Sequence, residues 1–314
     1  MVIVQSISKY DKKRATAITI GTFDGVHIGH RKILERLINS AKKRNLQATV
    51  LTFFPHPRMV LQKDAGIKLL NTMEEKALIM EQIGVDYLII HPFTMKFSRL
   101  SATDFVRDIL VNSLKTKKVI IGYDHRFGRN RTANINDLVA FGAALDFEVE
   151  EIPAQEIDDI SISSTKIRNA LAEGDINTAN SYLGYPYMLT GKVIKGKGLG
   201  KKLNFPTANL YVEEQYKLIP KNGVYVVKSI FQGEQIYGMM NIGYNPTVNM
   251  EKPEEADQKS IEIHFLNFEG NLYDEKLQVQ ILERIRDEHK FDSLEALKLQ
   301  LQKDKETSLA IISR

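Results

Sequence analysis

The first half of the chain alternates between two hydrophobic periods. Short apolar runs at residues 17–20, 48–54, 86–91, 118–122 and 147–152 have strand character. Between them apolar residues recur at helical spacing, first as Ile33, Leu34, Leu37, Ile38 and Ala41, then across 73–83, 102–114 and 135–145. Ser101 or Thr103 is placed to cap the helix over 102–114. Near-continuous apolar strands separated by helices predict a doubly wound parallel sheet with both faces covered. Ligands of such sheets bind at the carboxyl ends of the strands.

The alternation stops near residue 185, after Gly174, Gly184 and Pro186. Runs at 188–195, 223–231, 235–242, 260–267 and 277–285 then read as strands, with a hairpin turn at 232–234. Residues 291–303 read as a last helix with Leu294, Leu297 and Leu301 on one face. The pattern predicts an α/β domain over 1–185 and, over 186–314, a small antiparallel β-barrel with a terminal helix.

Composition narrows the function. A chain of 314 residues with 43% hydrophobic and 26% charged residues suits two ordinary soluble domains. The net charge of +4 fits nucleotide phosphates and is too small to argue for DNA or RNA. The absence of cysteine excludes disulfides and thiolate metal sites. No apolar run approaches the ~20 residues of a membrane helix, and the opening residues lack the pattern of a signal peptide. The expectation is a cytoplasmic protein with no membrane and no nucleic-acid partner; its oligomeric state is not legible.

Four segments carry candidate chemistry. In GTFDGVHIGH a strand runs into Gly21, Gly25 and Gly29 give close backbone approach, and His27 and His30 bracket a helix start that favours an anion. In ISISSTKIRNAL, Ser163, Ser164 and Thr165 precede a helical run with Arg168 one turn in. One hydroxyl suffices for a cap, so three with a guanidinium suit a phosphate clamp. IGYDHRFGRNR leaves a strand end with Arg126, Arg129 and Arg131, which read either as a solvated basic loop or as a ligand loop. GKGLGKKLNFPTANL interleaves Gly196, Gly198 and Gly200 with lysines. It can wrap phosphates or be a plain surface loop, and it lacks the spacing of a Walker A motif.

The string GTFDGVHIGH resembles the first motif of the bacterial bifunctional riboflavin kinase/FMN adenylyltransferase (FAD synthetase) family, and its HIGH core resembles the HxGH motif of the nucleotidylyltransferases. ISSTKIR resembles their ISSTxxR motif, and Pro206-Thr207-Ala208-Asn209 resembles the PTAN motif of riboflavin kinases. The resemblance covers nearly the whole chain. It implies adenylylation of FMN by ATP in the first domain and phosphorylation of riboflavin by ATP in the second. It makes His27, His30, Ser164, Arg168 and Glu262 catalytic, with Glu262 taking the proton of the riboflavin 5′-hydroxyl. Nucleotide contacts fall on Gly21, Phe23, Asp24, Gly25, Gly29, Asp124, Arg126, Ser163, Thr165, Gly196, Lys202, Pro206, Thr207 and Asn209. Thr207 and Asn209 would hold Mg²⁺. Flavin contacts fall on His56, Pro57, Phe93, Phe97 and Asn241; from spacing alone Phe93 and Phe97 read as core, and His56 as a turn residue between prolines. NIGYNPTV, with Gly243, Pro246 and Thr247, matches as well.

The sequence departs from the family at named places. His125 stands at a usual aromatic position, Phe54 at an often acidic one, Asn204 at a glycine and Asn267 at an aspartate. The last two motivate an alternative, an FAD synthetase with a weak or silent kinase barrel. A nucleotide-binding regulator touching RNA, and a nucleotidylyltransferase with another acceptor, are further alternatives.

Overall fold

The computed structural model describes the chain apart from residues 12–13, 63–65, 154–161, 197 and 245–258, and describes only the backbone of 199 and 202. Of the sequence expectations, those on Pro246, Thr247 and the Lys202 side chain lie outside the described residues. Contacts divide the chain into two units, Met1–Ser163 and Ser164–Arg314.

The first unit is a six-stranded, wholly parallel sheet of β1 (Val2–Val4), β2 (Thr16–Ile20), β3 (Gln47–Phe54), β4 (Tyr87–Pro92), β5 (Thr116–Gly122) and β6 (Glu148–Ile152). The spatial order is β1-β4-β3-β2-β5-β6, so the doubly wound prediction holds. From β2 the chain builds outward through β3 and β4, then returns to the other side of β2 as β5. The crevice of such a fold therefore opens between the carboxyl ends of β2 and β5.

Local signals set the helices. In α1 (Ile28–Lys43) Leu34, Leu37, Ile38 and Ala41 are buried. The short α2 (Pro57–Leu61) follows β3. A Thr72–Glu75 capping box starts α3 (Met73–Ile83), and Gly84 at φ 102° ends it. Ser101 caps α4 (Ala102–Asp104), which runs on as a π-helix, Phe105–Ser113. An Asn134–Asp137 capping box starts α5 (Ile135–Leu145). Ile18, Ile20, Leu51, Ile89, Val119 and Ile121 form a core with Phe105, Val106, Leu110 and Leu138. The alternate strand positions Ala17, Thr19, Val50, Leu88 and Ile120 are buried too, as a sheet covered on both faces requires.

In the second unit β7 (Met188–Ile194), β8 (Ala208–Tyr211), β9 (Gly223–Phe231), β10 (Glu234–Tyr244), β11 (Lys259–Phe265) and β12 (Lys276–Arg286) close an antiparallel barrel in the order β10-β11-β8-β7-β12-β9. β9 and β10 join through Gln232 and Gly233, both at positive φ (52° and 85°), the conformation that a two-residue hairpin favours. Ile261, Ile263 and Phe265 are buried while Glu262 and His264 between them are half-exposed. The interior is thus a packed core, and the polar side chains of β11 lie on the outer wall. The unit begins with α6 (Ser164–Glu173) and α7 (Ile176–Leu183) and ends with α8 (Leu294–Ile312). Asn180 donates to Ile281 O (3.0 Å) and accepts from Tyr187 N (2.7 Å), while Lys221 N donates to Leu171 O (3.0 Å). These bonds put both helices with the barrel, although the α/β sequence pattern runs on through them.

Candidate functional site

The carboxyl end of β2 turns through a loop that few sequences can adopt. Phe23, Gly25 and Val26 all have positive φ (45°, 88° and 37°). Gly25 does this freely, whereas a β-branched valine there is strained. Gly21 leaves room for the Phe23 ring, whose carbons lie 3.1–3.4 Å from where a Cβ would stand. Phe23 is itself buried and meets His30 edge-on at 5.2 Å. His27 caps α1, its Nδ1 accepting from His30 N at 3.4 Å. The two imidazoles stack at 3.7 Å between centroids and 19° between planes.

Their electrostatics follow from burial. Desolvation pushes His27 down to about 4, with Asp24 opposing, and His30 well below its usual range, with His27 and Lys76 adding to the effect. Both are neutral at pH 7. They act as hydrogen-bonding groups at a helix N-terminus, and a phosphate placed beside them favours the protonated form. His30 Nδ1 is buried and has no hydrogen-bond partner among the described residues. Asp24 is 2% exposed, and its Oδ1 accepts from Leu70 N at 2.9 Å; it stabilises the loop as well as standing beside the histidines. Gly29 is buried in the first turn of α1.

The other residues predicted from the first half of the sequence divide by role. Past β5, Asp124, Arg126, Arg129 and Arg131 are exposed, which suits a solvated basic loop as well as a ligand loop. His125 is held at about 4 by burial, stacks on Phe127 at 6.1 Å, and has a buried Nε2 without a partner among the described residues. Phe93 and Phe97 join Phe53 in a half-buried aromatic group with centroids 5.4–5.9 Å apart, so they have both a packing role and a partly open face. His56 caps α2, accepting from Arg58 N at 3.2 Å, and Pro57 starts that helix. Ser163 closes the first unit. Ser164, Thr165 and Arg168 stand in the first turns of α6, where Ile167, Ala170 and Leu171 take the buried face. Ser164 and Arg168, four apart, are neighbours at the edge of that face and are half-buried.

The barrel carries a polar row on its outer wall. In the strand register Glu262 pairs with Asn209 on β8 and with Asn241 on β10. Thr207 Oγ1 donates to Glu262 Oε2 at 3.2 Å. The hydroxyl proton is thereby committed, and the oxygen lone pairs of Thr207 stay open to a cation. Gly196 lies so close that a Cβ there would come within 2.1 Å of Asn209 Nδ2; glycine lets the backbone at 196 lie against the row. Pro206 O meets His264 Nδ1 at 2.9 Å. The oxygens of Thr207 and Asn209 beside a carboxylate suit a hard divalent cation that shares its shell with phosphates and water. Among the described residues no group of three or more His, Cys, Asp or Glu side chains is placed to hold a metal ion by itself.

Sequence reasoning missed Lys76. It is 2% exposed, and its Nζ donates to Thr22 O at 2.7 Å, inside the histidine loop. The available signal was a lysine in line with Met80 and Ile83 on the apolar stripe of α3.

Comparisons with known proteins match each half of the chain to a family. A family model described as FAD synthetase matches residues 9–166, and one described as riboflavin kinase matches 183–312. The bifunctional riboflavin kinase/FMN adenylyltransferase of Listeria monocytogenes is 39% identical, over 95% of this chain and 92% of its own. That of Escherichia coli K12 is 36% identical, over 93% and 91%. A crystal structure described as a macrolide-efflux protein from Streptococcus pneumoniae is 28% identical and superposes with a TM-score of 0.86, covering 98% of both chains. Among the described residues of this chain no helix is long and apolar enough to cross a membrane.

Proposed function

The chain belongs to the bifunctional riboflavin kinase/FMN adenylyltransferase family, and from that premise we propose that it makes FAD from riboflavin in two ATP-dependent steps at separate sites. The observation that carries the reading is that each matched half holds its own motif-bearing polar site: the stacked histidines at the end of β2, and the Asn209–Glu262–Asn241 row with Thr207.

On the barrel, Glu262 accepts the proton of the riboflavin 5′-hydroxyl as that oxygen attacks the γ-phosphorus of ATP. The new P–O bond forms as the bond to the β–γ bridging oxygen breaks, giving FMN and ADP. Asn241 flanks the flavin hydroxyl, and Gly196, Pro206 and the backbone around Lys202 border the phosphates. Thr207 and Asn209 would hold Mg²⁺, which when bound supplies charge neutralisation on the phosphates. In the first unit an FMN phosphate oxygen attacks the α-phosphorus of ATP, and pyrophosphate leaves. No protein nucleophile is needed. His27 and His30 stabilise the phosphate charge, the glycines of the loop let the backbone approach it, and the motif resemblance gives Ser164 and Arg168, which open the second unit, the same role. Asp124, Arg126, Ser163 and Thr165 are further nucleotide contacts, and His56, Pro57, Phe93 and Phe97 border the flavin. The partners are small molecules in a cytoplasmic setting, with functional domains at 1–185 and 186–314.

The test is chromatographic. Purified protein with Mg·ATP yields FAD from riboflavin and from FMN alike. His30→Ala lowers FAD formation by about 10²–10³-fold, the usual effect of losing one charge-stabilising donor, and still converts riboflavin to FMN. Unchanged FAD formation by that variant refutes the assignment of the histidines, and FAD from FMN alone refutes the kinase.

A further inference from the structure

We propose that Lys76 is a positioning residue of the adenylyl-transfer site, holding the histidine loop from beneath through the Thr22 carbonyl. The proposal rests on the assignment of that loop to FMN adenylylation.

A buried lysine needs a reason, because an apolar side chain of similar volume fills the same space without desolvating a charge. The neighbouring Glu75 has one: its carboxylate closes the capping box by accepting from Thr72 N at 2.9 Å. Lys76 takes no part in the cap. It leaves the apolar stripe of α3 and reaches the Thr22 carbonyl, which also accepts from Thr52 Oγ1 at 3.3 Å. Thr22 immediately precedes the strained residues Phe23 to Val26. Such backbone persists only where the surroundings over-determine it. Here it is tied on both sides to the segment that leads into and forms α3, by Leu70 N on Asp24 and by Lys76 on Thr22. Phe23 then carries the loop's position to His30 by ring contact.

The charges facing Lys76 are Asp24 on the loop and His30 on α1, with His27 stacked behind it; on its own helix Glu75 is engaged with Thr72. Burial brings the ammonium down to about 8, with Asp24 opposing. Loss of its proton within the working range loosens the hold on Thr22. The ammonium also contributes to keeping His30 neutral.

The experiment compares wild type, Lys76→Met and Lys76→Arg in the full-length chain, with FMN adenylylation followed from about pH 6 to about pH 10. Wild-type kcat falls as pH rises through about 8. Lys76→Met lowers kcat about 10²-fold, the effect of a displaced site, with KM for ATP and FMN within about threefold, no alkaline limb, and unchanged riboflavin phosphorylation. Lys76→Arg keeps its proton throughout, so its alkaline limb moves out of the range; this variant decides the matter if the Met variant does not fold. Wild-type kcat in Lys76→Met, or an unmoved limb in Lys76→Arg, overturns the inference. The His30 titration, read by NMR without turnover, rises in Lys76→Met, and an unmoved titration also overturns it. Absence of FAD in the wild-type assay counts instead against the assignment of the site, and the NMR result still judges Lys76.

Discussion

Asn204 and Asn267 are the two departures that put the kinase in question, and the backbone answers both. Asn204 has φ 63° and Asn267 has φ 52°. Asparagine is among the few side chains that tolerate this region, so it stands in for glycine at 204 at small cost. Asn267 is exposed in the turn after β11. β11 runs on for three residues past Glu262, about 10 Å, before the turn that holds Asn267, which sets a lost carboxylate there apart from the proton transfer. Asn204→Gly therefore leaves riboflavin phosphorylation within about twofold and changes stability by less than about 1 kcal/mol, whereas Asn204→Val costs about 1–2 kcal/mol. Asn267→Asp leaves kcat for riboflavin unchanged. Steady-state kinetics with denaturant unfolding reads all three; a large gain in Asn267→Asp places that charge in the site after all.

The helices show where the sequence pattern was readable and where it was not. The bounds of α3 and α5 match their periodicity because ordinary capping boxes frame ordinary amphipathic runs. The helix over 102–114 has the expected extent, yet most of it is wound as a π-helix, a change of pitch that apolar spacing does not report. β1 and β8 were missed because three or four residues carry too little period to read. The last helix was placed too early. Its Leu294 and Leu299 are 64% and 67% exposed, and its buried centre is polar: Asp304 takes a bidentate pair from Arg286 (2.9 and 2.7 Å) and a bond from Gln300 (2.9 Å). Ser308 Oγ donates back to Asp304 O at 2.7 Å. A search for leucines cannot find a helix docked through a carboxylate. The same limit applied to the sites: the histidines and the PTAN residues were legible as motifs, while Lys76 was hidden among the core positions of α3. Asp304→Ala leaves Arg286 without its carboxylate and costs about 3–5 kcal/mol, while Asp304→Leu with Arg286→Met is nearly neutral. Chemical unfolding of the two variants tests this, and a mild single variant would mean that α8 is held mainly by Leu297 and Leu301.

The buried histidines make the stability of the α/β unit depend on pH. Burial holds His27 and His125 down to about 4 and pushes His30 well below its usual range. In the unfolded chain each returns to about 6.5. Between these values the unfolded state binds more protons than the native one, so stability rises with pH across the window. It is fully present above about pH 6.5 and is lost progressively as pH falls toward about 4. For His27 alone the shift corresponds to about 3 kcal/mol. A triphosphate at the histidine loop reverses the sign locally, because an anion favours the imidazolium. ATP therefore protects FAD synthesis from inactivation more strongly at pH 5 than at pH 7.5, whereas without nucleotide the thermal midpoint for loss of FAD synthesis falls steeply over the same range. His27→Asn removes one titrating group, flattens that fall, and abolishes part of the extra protection at pH 5. Inactivation curves with and without Mg·ATP, with riboflavin phosphorylation followed in the same samples, separate this effect from general acid damage, which lowers both activities together. Equal slopes for wild type and His27→Asn would place the acid sensitivity elsewhere than in the loop at the end of β2.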